Sequence, residues 1–457
     1  MGLLATKLPG IFTAAPVAGG TSNGDWGAQL TKPRVLAAHL LRRAGFGYTS
    51  PQLDQAASMA YGDLVDQLVN QPPEALPAIA NPSNYQQVVA AWYAHMATTA
   101  AQFPERMTLF WHGLLTSDFR SAARLPVVLQ QNQLYRSLGR GDFRSLLVAV
   151  TYDPLMIRYL DLEQSTAAAP NENYSRELME LFTLGPGNYT ETDVREGARA
   201  LSGVRMLLVD ANGSPMRVPR ASGMTAQQYA AEIAALVAQG ASFKGTLVAR
   251  QHDSGVKTYL GHTGNLGPED VIDAVLAQPA CAQHIATKAL VHFFSPSPSS
   301  ALVTSVATQF RNSGYDIKTL MRAIFMSDDF KSSVNYRSLV RSPADFMVAT
   351  MRALNRSDLA QMAVKAGAGM NQVLYDMPNV AGWPSNAGWV SSTAWLARVN
   401  FAATAVASHG VFPDPAQGVK DQLDGVLGAD TTAVFNAAPA AADRWYALLA
   451  SPEFHLK

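Results

Sequence analysis

The sequence predicts a mainly α-helical fold, a multi-helix globular array with a small β-hairpin or extended insertion around 204–260. Three observations predict it. Apolar residues recur at the three-to-four-residue spacing of a helix over most of the chain. Ser, Thr and Pro stand where those patterns begin, and Gly or Gly-Pro where they end. One stretch, Val204 to Pro219, breaks the pattern with two apolar runs flanking Asn212-Gly213, the signature of a tight turn between strands.

Residues 1–31 read as an irregular arm rich in Gly, Ala, Thr and Pro. Its apolar stretch from Leu8 to Gly19 is broken by Pro9 and Pro16, whereas an export signal wants a longer unbroken run behind a basic start. Thr31-Lys32-Pro33 opens a helix through Leu36, Leu40 and Leu41, and Gly45 and Gly47 end it. Proline suits that opening because the first turn has no use for its missing N–H. Ser50-Pro51 starts the next helix, carrying Leu53, Ala57, Tyr61 and Leu64.

A proline-rich connector over 71–82 follows. Helical spacing then returns at Tyr85, Trp92 and Met96, and again from Pro104 through Phe110, Trp111 and Leu114. Further helices are expected at about 125–138, 142–151 and 153–163. The helix from Asn171 to Thr183 stops at Gly185-Pro186-Gly187, a strong terminator. Thr190 with Asp193 three residues on makes a capping box for a helix ending near Gly203.

Beyond the predicted β element a helix is expected at about 225–239, then extended structure and loop over 243–260. Pro268 opens a helix to about Ala277, and others follow to Phe330. Pro343 to Leu354 is helical, 376–390 is a loop rich in Trp, Pro and Gly, and Ser391-Ser392 cap a helix to about Ala407. The string Ala323 to Phe330 echoes Ala447 to Phe454, one helix ending used twice. The expected organisation is an arm (1–31), a helical region (32–203), a β-containing insertion (204–260) and a second helical region (261–457).

Charged residues are 15% of the chain and hydrophobic ones 48%. A typical soluble protein carries about 25% charged residues, so a large buried fraction is expected and intrinsic disorder is not. The 35 basic and 35 acidic residues cancel, leaving no excess to neutralise phosphates, so nucleic acid is not an expected partner. No apolar run reaches the ~18 residues of a membrane span. The one cysteine, Cys281, rules out an internal disulfide and a cysteine-based zinc or iron–sulfur site. It reads as a small packed residue.

Five stretches, in this order, resemble a bacterial family known as domain of unknown function 1800 (DUF1800). They are Ala38 to Gly47 (AHLLRRAGFG), Phe110-Trp111-His112, Asn171 to Gly185 with Tyr189-Thr190-Glu191, His252-Asp253 with Lys257 and Leu260-Gly261, and Pro378 to Pro384 (PNVAGWP). The resemblance covers roughly 35–410. It implies a mostly helical fold and no known reaction. It also implies a bacterial protein, periplasmic or extracellular, with a protein partner resembling the alkaline phosphatase and sulfatase class.

On the Asn171–Thr183 helix, Asn173, Arg176, Glu177 and Glu180 share one face, and Tyr174, Leu178, Leu181 and Phe182 fall largely on the other. Glu177 and Glu180 stand three apart, so their carboxylates are neighbours. Their repulsion raises one pKa and suits a general acid/base pair or a cation site; a solvated face with an Arg–Glu pair has the same pattern. His112 follows two aromatics and fits either a base or metal ligand or a satisfied core histidine. His252-Asp253 before Gly255 fits either an oriented base or a turn in which Asp253 bonds the backbone. Lys257 either binds an anionic group or is simply exposed. Trp383 and Trp389 either stack on a flat ligand or plug a core.

Two functions follow. One is a hydrolase acting on a glycan or other polymer through a carboxylate/histidine cleft. Glu177, Glu180, His112, His252 and Asp253 would be catalytic, and Asn173, Arg176, Lys257, Trp383 and Trp389 would bind substrate. Such a nitrogen and oxygen set also suits a divalent metal, though no HExxH, EF-hand, phosphate-loop or GxSxG string accompanies it. The other is a non-enzymatic structural or surface-assembly protein whose polar motifs form a buried network.

Overall fold

A computed structural model describes residues 26–122, 125–219, 221–408 and 410–457. The expected arm lies outside them as far as residue 25, and Trp26–Thr31 form a 3-10 turn. The fold is mainly α. Among the described residues the strands are four short ones, in two antiparallel pairs. No described helix is long and apolar enough to cross a membrane. The described residues divide into two compact units: those up to Phe110, with Ala286–Leu374 and Trp383–Lys457, form the first, and those of Trp111–Ile285 with Tyr375–Gly382 form the second.

The first unit opens with α1 (Pro33–Ala44), α2 (Ser50–Ala57) and α3 (Tyr61–Asn70). Pro33 stands at the start of α1, and Thr49 with Gln52 forms a capping box before α2. The one helix expected from Ser50 through Leu64 is two. At Ser58 the side chain bonds back to the carbonyl of Gln55 at 2.7 Å, and such local bonds compete with helix propagation. Ser327 and Ser451 bear out the recurring ending: each accepts a backbone N–H, from Phe330 and Phe454. Both phenylalanines are fully buried.

The core of this unit holds charge as well as hydrocarbon. Arg42 on α1 donates to both oxygens of Asp424 at 3.0 and 2.8 Å. Arg337 (3.1 Å) and the Tyr336 hydroxyl reach the same carboxylate. Burial alone would raise the Asp424 carboxyl; Arg42 and Arg337 outweigh it and bring it to about 2. Arg43 donates instead to the carbonyls of Phe294 and Asn335 and to the Ser338 hydroxyl. His39 Nε2 lies 3.2 Å from the Phe330 carbonyl. Uncompensated charges at such depth cost several kcal/mol each, so these partners are conditions of folding.

In the second unit Trp111 stacks on Phe143 and its Nε1 donates to Gly139 O at 2.6 Å. Strands β1 (Val204–Val209) and β2 (Ser242–Leu247) pair antiparallel, Val204 opposite Leu247. The Asn212-Gly213 turn forms as expected. Asp210 Oδ1 accepts the N–H groups of Asn212 and Ser214, Gly213 has φ +80°, and Val209 bridges Pro215. Among the described residues no strand continues from it, because Pro215 and Pro219 cannot donate to a ladder. The true partner of β1 comes after the helix Ala226–Ala238. A second hairpin, β3 (Lys257–Tyr259) and β4 (His262–Gly264), turns at Leu260-Gly261 with both φ positive.

Candidate functional site

The Asn171–Thr183 segment lies in the second unit. Asn171 Oδ1 accepts Asn173 N–H at 2.9 Å, and an α-helix runs Asn173–Glu177. From Leu178 to Thr183 it widens into a π-helix, a form found often at functional sites. The Thr183 hydroxyl bonds the Leu178 carbonyl, and Leu184 N–H reaches Met179 O at 2.8 Å. The inner face buries Tyr174, Leu178, Met179 and Phe182. Tyr174 OH lies 2.8 Å from Thr151 Oγ1, and Ser175 Oγ donates to Val194 O at 2.9 Å. Leu181, expected on that face, is only half-buried.

On the outer side Glu177 and Glu180 are half-buried neighbours. Burial and then the charge of Glu180 push the Glu177 carboxyl up, against the pull of Arg176. Among the described residues Glu177 has no hydrogen-bond partner. Glu180 Oε2 accepts the Tyr189 hydroxyl at 2.6 Å. Burial, and then that bond, push Tyr189 up to about 12. Arg176 is engaged elsewhere, in a fork on Glu191 (2.7 and 2.8 Å) and a 3.2 Å contact to Glu172. Asn173 Nδ2 donates to Asp161 Oδ2 at 3.2 Å. Tyr159, raised to about 12 by burial and by Asp118, also feels the Glu177 charge.

His112 is 2% exposed. Its Nε2 accepts the Tyr375 N–H at 3.1 Å, and burial lowers its imidazole to about 3, so the ring is neutral near pH 7. The same helix end meets the Pro378 loop twice more. Thr116 Oγ1 donates to Val380 O at 2.6 Å, and Gly382 (φ +84°) sits where a Cβ would strike Gly113 O.

His252 Nδ1 lies 2.9 Å from Ser202 O. Asp253 accepts Arg199 Nε at 2.7 Å and Gly255 N–H at 2.8 Å; the Arg199 bond, against burial, lowers its carboxyl. Lys257 is 1% exposed, and burial lowers its ammonium. Its Nζ donates to Asp253 O, Gly255 O (2.9 Å) and Asn265 Oδ1 (3.2 Å). An ammonium has three donors, so all are engaged. Leu260 N–H bonds Asp193 Oδ1 at 2.9 Å, on the helix Glu191–Leu201 that also receives Ser175.

The structure thus brings Glu177 and Glu180 together and sets Asp253 with Lys257 in a separate turn. Among the described residues no three His, Cys, Asp or Glu side chains are grouped to hold a metal ion, so the five candidates do not form one ligand set. Trp383 and Trp389 belong to the first unit; Trp389 is buried and Trp383 half-buried. Tyr189 and Tyr159 are the neighbours that sequence reading left without a role. Tyr189 stands within the Tyr-Thr-Glu string, whereas nothing local marks Tyr159.

Fold and site together define a mainly helical protein in which several of the motif polar groups are buried and hydrogen-bonded within their own unit. The chain matches the family described as Protein of unknown function (DUF1800) over residues 39–456, and it belongs to that family. No curated protein and no solved structure matches it.

Proposed function

We propose that the protein is a non-enzymatic binding or surface-assembly scaffold, its motif residues serving as internal joints. The observation that carries this reading is the direction in which the motif polar groups turn. Arg42 and Arg43 lie 1% and 0% exposed on a carboxylate and on carbonyls. His112 receives a backbone N–H, and Lys257 holds three oxygens. Groups so engaged rigidify a fold, and the Nε donors that Arg42 and Arg43 leave without a partner among the described residues are buried away from the surface.

One feature favours a hydrolase as a second reading. Glu177 is half-exposed, raised by burial and by Glu180, and stands at the mouth of a π-helical turn. It would be the general acid and Glu180 its charged neighbour. A panel of chromogenic glycosides, esters and phosphoesters, run with and without Mg²⁺, Ca²⁺, Mn²⁺ and Zn²⁺, separates the two. The scaffold reading expects the wild type and the Glu177→Gln/Glu180→Gln double variant both to match the buffer rate. Turnover by the wild type that disappears in the double variant, with melting unchanged, would overturn it.

A further inference from the structure

We infer that a cleft in the first unit, lined by five glutamines, binds an uncharged, extended peptide segment through its main-chain amides. The cleft lies between the end of α1 and the helices α2 and α3 and encloses about 210 Å³. Its polar lining is Gln52, Gln55, Gln67, Gln71 and Gln102, and none of its lining residues is charged. This inference goes beyond the scaffold reading and holds whether or not the carboxylate pair of the other unit is catalytic.

The carboxamides are not equivalent. Gln102, 8% exposed, forms a closed wall: Nε2 donates to Met96 O and Thr99 O, and Oε1 accepts Phe46 N–H. Gln52 Oε1 accepts Thr49 N–H at 3.0 Å and Arg352 Nη2 at 2.8 Å, which leaves its Nε2 as a donor. Gln71 is the converse. Its Nε2 donates to Ala100 O at 2.7 Å, and its buried Oε1 has no partner among the described residues. Gln55 and Gln67 are exposed at the rim. A fixed donor and a vacant acceptor on two carboxamides match the C=O and N–H of a peptide, which is itself an amide.

The rest of the lining narrows the ligand. Leu41, Met59, Leu64 and Leu68 supply an apolar floor for an aliphatic side chain. Main-chain bonds with a side-chain pocket are a recurring mode of peptide capture. Tyr48 is the single aromatic in the lining. It is 1% exposed and its hydroxyl donates to Asp421 O, so no ring is presented for a sugar to stack on. The volume lies below the ~300–1,000 Å³ of sites for drug-sized ligands, which fits a short stretch of chain. Without a charged group, the lining offers nothing to an acidic or basic side chain.

The test is an array of end-blocked heptapeptides, uncharged with an aliphatic centre, probed with the full chain. Parallel spots carry Asp or Lys at the centre, and a second array carries neutral oligosaccharides. Uncharged peptides should bind and charged ones should not. Gln71→Leu, which removes the vacant acceptor, should weaken binding by about tenfold, as expected for one lost hydrogen bond. Gln67→Glu, which puts a carboxylate on the uncharged rim, should weaken it as well, because a bound uncharged segment would desolvate the new charge. Gln67→Glu keeps the test meaningful if Gln71→Leu lowers the melting temperature. Peptide binding indifferent to Gln67→Glu, no peptide binding, or oligosaccharide binding sensitive to either change would each overturn the inference.

Discussion

Replacing Asp424 by Asn keeps the shape of the side chain and removes its charge. In the wild type this 2%-exposed carboxylate neutralises Arg42, itself 1% exposed, and Arg337. Breaking a buried pair from one side costs about 3–5 kcal/mol, because a charge is left in the interior. At about 2–4 °C per kcal/mol for a domain of 150–250 residues, the melting temperature should fall by on the order of 10 °C. The pH dependence gives a second magnitude. The folded carboxyl titrates at about 2, against about 3.9 when unfolded. A group depressed in the folded state stabilises above its unfolded pKa, and that stability is lost as pH falls through its folded pKa. The difference corresponds to about 2.5 kcal/mol, present at pH 7 and lost between about pH 4 and pH 2. Urea unfolding followed by far-UV circular dichroism at pH 7, 4, 3 and 2 measures both. The gap between wild type and Asp424→Asn should be widest at pH 7 and narrow below pH 4. A loss under about 1 kcal/mol at pH 7, the scale of an exposed pair, or a gap unchanged down to pH 2, would refute the argument.

Two further outcomes follow from buried groups of the second unit. His112 titrates at about 3 when folded and about 6.5 when unfolded, so its neutral form is favoured by folding. Its contribution is complete above pH 6.5 and declines by about 1.4 kcal/mol per pH unit toward pH 3; the stability of His112→Gln should fall less steeply across that window, and identical slopes would count against a buried neutral ring. Lys257→Met removes three hydrogen bonds to oxygens of the 253–265 turn. Charged hydrogen bonds contribute about 1.5–3 kcal/mol each, so its urea midpoint should drop clearly and amide exchange around Asp253 should accelerate; an unchanged midpoint would mean that Lys257 is not the anchor of this turn.

Local chemistry was readable in the sequence because it is decided within a few residues. Pro33, the Thr190 and Asp193 capping box and Ser391 mark helix starts, and each stands at the helix it predicts. The period of the Asn171–Thr183 segment correctly makes neighbours of Glu177 and Glu180. The turn at Asn212-Gly213 is likewise local, since Gly213 supplies the positive φ and Asp210 the side-chain acceptor.

Tertiary structure decided which groups meet across long stretches of chain, and with that their chemistry. The strand opposite β1 begins at Ser242, beyond a helix, because two prolines disqualify the nearer segment. Arg176 faces the carboxylates by periodicity, yet its fork belongs to Glu191 on another helix. His112 could have been a base until Tyr375 arrived from elsewhere in the chain to occupy its nitrogen. The cleft glutamines are spread from Gln52 to Gln102 with no motif between them, and a vacant oxygen on Gln71 exists only once its neighbours are packed. Helical spacing and capping are short-range and survive in the order of residues. Burial, partner choice and cavity shape depend on residues brought together by folding, and no local pattern records them.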